Sequence, residues 1–383
     1  MAKHELIATS AFGIEAVVAR ELRDLGYEDV TVENGRVTFI GNEEAICKSN
    51  LWLRCADRVY LKVGEFTATT FEELFQQVKA LPWQNYLPVD ANFPVNGKSV
   101  KSKLFSLSDI QAISKKAIVE KMKETYLQEW FEESGSKYPI MVSILKDRVT
   151  VSIDTSGPGL HKRGYREVGS EAPLKETLAA AMIKISRWRP DRVLIDPLCG
   201  SGTIPIEAAL IGRNIAPGLN RNFISEEWDF ISKELWKRIK KEAYEAIEYD
   251  RELSIYGYDR DGRVINVAMN NGIEAGVDDC IHFQKRSVEE LSSKKKYGYL
   301  ICNPPYGERL SEKKEVEGLY REMGKIFTQL DTWSYYVITS HEGFQESFGK
   351  KADKNRKLYN GRIKCYYYQY FGPRPPRKKE EDS

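Results

Sequence analysis

Three short apolar runs, VLID (193–196), SIYGYD (254–259) and YLIC (299–302), each stop at a polar turn and are separated by helix-length segments. Runs of four to six residues, apolar throughout, suit strands buried on both faces, and alternation with helices makes the sheet mostly parallel. The helical pattern recurs in LKETLAAAMIKISRW, SGTIPIEAALIG, SKELWKRIKKEAYEAIEY, GRVINVAMNNGIEAG and VEGLYREMGKIFTQL, and CIHFQ and YYVITS add two more strands. The expected class is therefore α/β over residues 171–372. CYYYQYF reads as an alternating or edge-like aromatic strand that packs into the core, and the polar tail 373–383 as frayed.

In an open parallel sheet, ligands sit outside the carboxyl ends of the strands, so the turns there carry the chemistry. VLIDPLCGSGT places Asp196 at a strand end; Gly200 and Gly202 let the backbone turn tightly and approach a ligand, and Thr203 is the expected helix cap. A pyrophosphate loop of the G-x-G-x-x-G type would have glycine at 205, where this chain has Pro205, which disfavours NAD. Asp259 ends the next strand, where a carboxylate can accept two ribose hydroxyls. In NPPY, Asn303 offers an acceptor to an exocyclic amine and Pro304 a carbonyl without an N–H. The paired prolines stiffen the turn, Tyr306 offers a ring that can stack on a base, and Gly307 allows close approach.

The amino-terminal 64 residues follow the order β-α-β-β-α-β, with Asn34-Gly35 turning a hairpin, as in a ferredoxin-like sandwich. A second small unit, 65–155, holds the helix TTFEELFQQVKALPW, an extended polar stretch, a long helix from Leu107 to Tyr126 and a hairpin turned at Lys146-Asp147. Lys98, Lys101 and Lys103, beside a helix carrying Lys115 and Lys116, form a candidate docking surface for phosphate. The glycine-rich connector 156–170 concentrates His161, Lys162, Arg163, Tyr165 and Arg166; it reads as a basic linker, an RNA contact or a brace for the next domain.

DPLCGSGT, YGYD and NPPY, in that order and joined by βα units, resemble the class I methyltransferases that modify exocyclic nitrogens with S-adenosylmethionine. GKSVKSKLFSLSDIQAISKKAI and LHKRGYR resemble the THUMP-containing branch, and nearly the whole chain resembles bacterial 23S rRNA guanine-N2 methyltransferases. The resemblance implies a class I Rossmann-like methyltransferase domain preceded by a ferredoxin-like and THUMP RNA-binding region. It further implies that Asp196, Cys199, Gly200, Ser201, Gly202 and Thr203 surround the methionine part of the cofactor and that Asp259 holds its ribose. Asn303 and Pro304 would receive the amine, Asn303 also bordering the cofactor, with Tyr306 stacked on the base. The family's acidic adenine contact falls near Ser287 in FQKRSVEEL, where the Ser287 hydroxyl, a backbone amide or Glu289 would substitute. RNA contacts fall to Lys98, Lys101, Lys103, Lys162, Arg163 and Arg166.

Composition limits the alternatives. The 58 Lys+Arg and 56 Asp+Glu give a net charge of +2, so an RNA footprint has to be a local patch. Six scattered cysteines without a CxxC, and four histidines, argue against structural zinc and a disulfide scaffold. MAKHELIATS lacks the apolar core of a signal peptide and no run of eighteen apolar residues occurs, so a cytoplasmic protein without membrane or obligate protein partner is expected. A THUMP-type tRNA guanine methyltransferase keeps the chemistry and changes the substrate. A DNA adenine methyltransferase shares NPPY, but the amino-terminal half shows no helix-turn-helix signal. A noncatalytic RNA-binding assembly factor is the alternative of a different class.

Overall fold

The computed structural model describes residues 3–166, 174–307 and 310–376, with side chains at 310–312 excepted; the last residues of the connector (167–170) and of the tail (377–383) lie outside the described residues. The chain divides into two units, one of Met1–Ser10, Val18–Leu160 and Arg221–Ala243, the other of Ala11–Val17, His161–Asn220 and Tyr244–Ser383.

The first unit opens with β1 (His4–Thr9), α1 (Glu15–Asp24), β2 (Val30–Glu33), β3 (Arg36–Gly41), α2 (Glu43–Trp52) and β4 (Arg58–Thr67). Then follow α3 (Phe71–Lys79), β5 (Val95–Val100), α4 (Leu107–Tyr126), β6 (Ile140–Leu145) and β7 (Arg148–Asp154). The order β2-β3-β1-β4 is the ferredoxin-like arrangement, and β4 also pairs with β7, so one sheet runs on through β6 to β5. The expected boundary at residue 64 thus falls inside a strand. Lys146 and Asp147, both at positive φ (50° and 65°), make the two-residue turn whose twist matches the flanking strands. The polar stretch contains an unexpected strand: β5 is the sheet edge, parallel to β6, and its VNGKSV alternates half-buried with exposed residues.

Residues 221–243, read from sequence as part of the methyltransferase domain, pack with this first unit. Trp228 stacks on Tyr138 (centroids 4.9 Å apart, planes 16° apart) and its indole N–H donates to the Lys137 carbonyl at 2.9 Å. Arg221 donates to the Gly159 carbonyl at 2.7 Å, and the Ser225 hydroxyl to that of Thr155 at 2.8 Å. The segment leads into α7 (Lys233–Glu245).

The second unit contains α5 (Glu176–Ser186), β8 (Leu194–Asp196), α6 (Thr203–Gly212), β9 (Ile255–Asp259), α8 (Gly262–Glu274), β10 (Ile281–Lys285) and β11 (Tyr299–Cys302). It closes with α9 (Leu310–Gln329), β12 (Ser334–Thr339), α10 (Phe344–Phe348), β13 (Lys354–Asn360) and β14 (Ile363–Tyr370). The sheet order β10-β9-β8-β11-β12-β14-β13 is parallel through β12 and antiparallel beyond it. Strand order reverses between β8 and β11, which defines the ligand crevice. The aromatic strand β14 is internal, not an edge; the edge is β13, which its polar sequence KNRKLYN concealed. Tyr367, Tyr368 and Tyr370 are buried, and the Tyr336 and Tyr367 hydroxyls donate to the Ser186 and Met182 carbonyls of α5 at 3.1 and 3.0 Å. On the other face Tyr320, Met323 and Phe327 of α9 and Phe344 and Phe348 of α10 pack over Ile195, Leu300 and Val337.

Candidate active site

Asp196 ends β8, and Asn303 immediately follows β11, which pairs with β8 in parallel register (Leu300 opposite Ile195). Both therefore leave the same end of the sheet at the reversal. The turn after β8 is secured mainly by backbone. The Cys199 amide donates to the Tyr258 carbonyl (2.8 Å), the Gly202 amide to the Cys199 carbonyl (2.9 Å), and the Asn271 side chain to the Ser201 carbonyl (2.9 Å). Gly200 (φ 52°) and Gly202 (φ 84°) use backbone open to glycine. A Cβ on Gly202 would lie 2.9 Å from the Phe283 ring, whereas one on Gly200 would meet none of the described residues within 4 Å. Among the described residues nothing crowds Gly200, which makes a cradle that a ligand can approach.

Two carboxylates border that space. Asp259 accepts the Gly200 amide at 3.1 Å and the Asp261 amide at 3.0 Å, one on each oxygen, leaving further lone pairs for ribose hydroxyls. Asp196 is 1 % exposed and accepts the Leu198 amide at 3.1 Å. Burial, with the charge of Asp259 adding to it, pushes the Asp196 carboxyl well above its ordinary range. A buried acid so poorly compensated suits a cationic ligand, and the ammonium and sulfonium of S-adenosylmethionine are cationic. The donor set therefore fits that cofactor. Burial also pushes the Cys199 and Cys302 thiols well up, which keeps them protonated and poor as nucleophiles.

The turn after β11 is held by side chains. The Tyr306 hydroxyl donates to Asn303 Oδ1 at 2.7 Å, and Asn360 at the end of β13 reaches that hydroxyl at 3.5 Å. The Tyr320 hydroxyl donates to the Pro305 carbonyl at 2.7 Å. Tyr306, expected to stack on a base, has its hydroxyl on the acceptor that the amine would use, and burial raises its pKa far above the ordinary phenol value. Sequence gave no sign of Tyr320 or Asn360; both act on the turn from distant elements.

Other expected residues fall differently. Thr203 is not the helix cap: Gly202 is, and the Thr203 hydroxyl accepts from the Arg166 guanidinium. Ser287 caps a single turn of 3₁₀ helix; its amide donates to Glu290 and its hydroxyl to Glu289, so both of its groups are engaged. That hydrogen bond holds the Glu289 carboxyl below its usual pKa, which leaves Glu289 charged and exposed at the end of β10. Arg163 is a correction to the RNA-facing set. It is 3 % exposed and donates to Glu207 of α6 at 3.2 and 3.3 Å, with the Tyr165 hydroxyl on the same carboxylate at 3.3 Å. Arg166 also turns inward, onto Glu176 (3.3 Å) and the Leu174 carbonyl (3.2 Å). The single carboxylate in the apolar helix TIPIEAALIG was the available signal that a nearby cation is buried. Lys162 remains exposed, as do Lys98 on β5 and Lys101 and Lys103 in the bend that follows. Lys115 is committed instead to Glu133 (2.5 Å) and the Phe93 carbonyl (3.1 Å).

Fold and site together define a class I, S-adenosylmethionine-dependent methyltransferase. Family models match as an RlmL ferredoxin-like domain at residues 5–60, a THUMP domain at 68–154 and an RMKL-like methyltransferase domain at 163–369, and the chain belongs to the RMKL-like methyltransferase family. It is 53 % identical, over the full length of both, to a Bacillus subtilis protein named "Putative RNA methyltransferase YpsC". It is 35 % identical to the ribosomal RNA large subunit methyltransferase K/L of Syntrophotalea carbinolica, matching 94 % of this chain and 52 % of that one, so it spans about half of the K/L protein. Among solved structures, SMU.472 complexed with SAH is 51 % identical and matches with a TM-score of 0.93 over 98 % of this chain and all of that one.

Proposed function

We propose that the protein transfers a methyl group from S-adenosylmethionine to the exocyclic N2 amine of a guanine in 23S rRNA, forming N2-methylguanosine in the cytoplasm. One observation carries the chemistry: the Asn303-Pro304-Pro305-Tyr306 turn stands at the same strand ends as Asp196, on the adjacent strand. The rRNA substrate is supported by the named activity of the K/L relatives and by the THUMP match.

Guanine's amine is a weak nucleophile because its lone pair is delocalised into the ring. Asn303 Oδ1 and the Pro304 carbonyl each accept a hydrogen bond from one of its two N–H groups, favour a tetrahedral nitrogen and direct the lone pair; one of the two protons passes to solvent once the new N–C bond has formed. The cofactor, when bound, supplies a methyl group already activated by positive sulfur. What this chain adds is alignment and charge stabilisation: Asp196 and Asp259 hold the donor, and Asn303 with Pro304 holds the acceptor. Tyr306, its phenol kept protonated by burial, acts as donor and stacking surface, not as a base. For the amine to enter, its hydroxyl releases Asn303 Oδ1. Where the guanine lies in a helix it has to be flipped, at a cost of a few kcal/mol that stacking on Tyr306 partly offsets. Asp196, Cys199, Gly200, Ser201, Gly202, Thr203 and Asp259 form the cofactor side in this reading. Lys98, Lys101, Lys103 and Lys162 face the RNA.

The test incubates purified protein with labelled S-adenosylmethionine and, separately, unmodified 23S rRNA, bulk tRNA and duplex DNA, followed by nucleoside analysis. N2-methylguanosine in 23S rRNA alone, lost in Asn303→Ala, is the expected result. Label in tRNA or in DNA adenine overturns the substrate; no label in any of them, with the cofactor bound, overturns the activity.

A further inference from the structure

The β13–β14 hairpin carries a feature that the cofactor and amine sites do not use. Residues 350–364, KKADKNRKLYNGRIK, hold seven Lys or Arg against the single carboxylate of Asp353, in a chain whose net charge is only +2. Lysines on a sheet edge such as β13 normally serve to prevent pairing with another chain. Here the cations continue past the edge strand, to Arg362 at the hairpin tip and Lys364 on the internal strand β14.

Pairing puts Lys357 opposite Tyr366 and Tyr359 opposite Lys364, so these four side chains share one face of the hairpin. Cations and rings interleave on it. Lys357 Nζ lies 5.5 Å from the Tyr359 ring and 5.8 Å from that of Phe12, and Lys364 Nζ lies 5.5 Å from the Tyr366 ring. Phe12 meets Tyr359 edge to face at 6.0 Å and is 45 % exposed. Lys357, Arg362 and Lys364 are exposed. Asn360, next along the strand from Tyr359, reaches the hydroxyl of Tyr306.

We propose that this hairpin face is an RNA-docking surface on the methyltransferase unit, one that holds single-stranded nucleotides flanking the target base. Cations that track a phosphate chain, interleaved with rings on which bases stack, are how proteins hold unpaired nucleic acid whatever its sequence. Asn360 points to the other face of β13, so its contact with Tyr306 brings the tip of the hairpin, where this face ends at Arg362, close to the amine-receiving turn. A strand docked on this face and passing the tip leads toward the pocket, and so holds nucleotides flanking the target base. The proposal rests on RNA being the substrate, and it adds a site separate from the lysines of β5 and its following bend.

The test measures binding of a fluorescein-labelled 20-nucleotide oligouridylate to the full chain saturated with S-adenosylhomocysteine, across a salt series. K357E/R362E/K364E is expected to bind about tenfold more weakly at 100 mM salt, and the slope of log affinity against log salt to fall by about two, as loss of three phosphate contacts on a single strand predicts. Tyr359→Leu, which keeps bulk but not stacking, is expected to bind about tenfold more weakly with the slope unchanged. Thermal melting and S-adenosylhomocysteine affinity verify folding, and the corresponding alanine triple variant serves if the reversed charges perturb it. An unchanged affinity and salt slope in a folded triple variant overturns the proposal. With 23S rRNA as substrate the triple variant is expected to raise KM about tenfold and retain kcat. A wild-type chain that methylates no RNA would sink the proposed function, while the oligonucleotide measurement still decides the hairpin.

Discussion

The turns that follow β8 and β11 leave the same end of the sheet from neighbouring strands, yet they are held by different means. In the first, amides of Cys199, Gly200 and Gly202 find partners within the turn and on β9. In the second, prolines supply no such amides, and the turn is fixed by the hydroxyls of Tyr306 and Tyr320 with Asn360 nearby. A backbone-held turn is set by its own sequence. A side-chain-held turn can exchange a protein partner for a substrate one without unfolding. In the proposed function the cofactor side is thus preformed, and the amine side carries its own occupant, the Tyr306 hydroxyl, which a base would replace.

That contrast is best broken by separating the two turns in function. Asn303→Ala is expected to lower methyl transfer about 10³-fold, about 4 kcal/mol of barrier, while cofactor affinity measured by calorimetry changes less than tenfold. Comparable losses of both would mean that the two turns are not independent. Gly202→Ala comes next: positive φ and the approach to Phe283 are expected to cost about 1–3 kcal/mol in denaturant unfolding and to weaken cofactor binding. Retained stability would show the first turn to be more pliable than its bonding implies.

Asp196 gives a pH test of the same turn. Its folded pKa is raised by burial, so the unliganded protein holds a proton that the unfolded chain has already lost. The resulting stability is fully present below the ordinary aspartate pKa and is lost as pH rises through the raised value. Cofactor affinity is expected to run the other way, increasing through that window as the carboxylate forms. Asp196→Asn is then expected to raise the melting temperature of the unliganded protein at pH 8, to weaken cofactor binding about tenfold and to flatten its pH dependence. The smallest effect is expected for Tyr306→Phe, which keeps the ring and frees Asn303: kcat/KM within about threefold of wild type, against at least a tenfold loss for Tyr306→Ala, where stacking is removed. A loss with phenylalanine as large as with alanine would give the hydroxyl a role beyond occupying the acceptor.

Legibility from sequence followed the same division. VLID, SIYGYD and YLIC were readable because buried parallel strands are apolar throughout, and the glycines at 200 and 202 announced a tight turn. The edge strands β5 and β13 escaped because VNGKSV and KNRKLYN have too little apolar alternation for a half-buried edge to stand out. Arg163 read as a surface cation because its partner, Glu207, lies 44 residues away in an apolar helix. Tyr320 and Asn360 were silent for a similar reason, since sequence spacing cannot show which distant hydroxyl or amide reaches a turn.

The return of residues 221–243 to the amino-terminal unit sets a timetable for synthesis. A chain made from its amino terminus finishes β7 at Asp154, but Trp228, which covers Tyr138, emerges only after β8 and α6 have been translated. The first unit cannot close its core until residues 221–243 have been made, when the second unit still lacks β9 through β14. A nascent chain halted after residue 160 would expose the Tyr138 ring and the carbonyls of Lys137 and Thr155 that later take the Trp228 indole and the Ser225 hydroxyl. The amino-terminal half is therefore a dependent partner in biogenesis, and translation speed through residues 161–243 governs how long that unfinished surface is open to other chains.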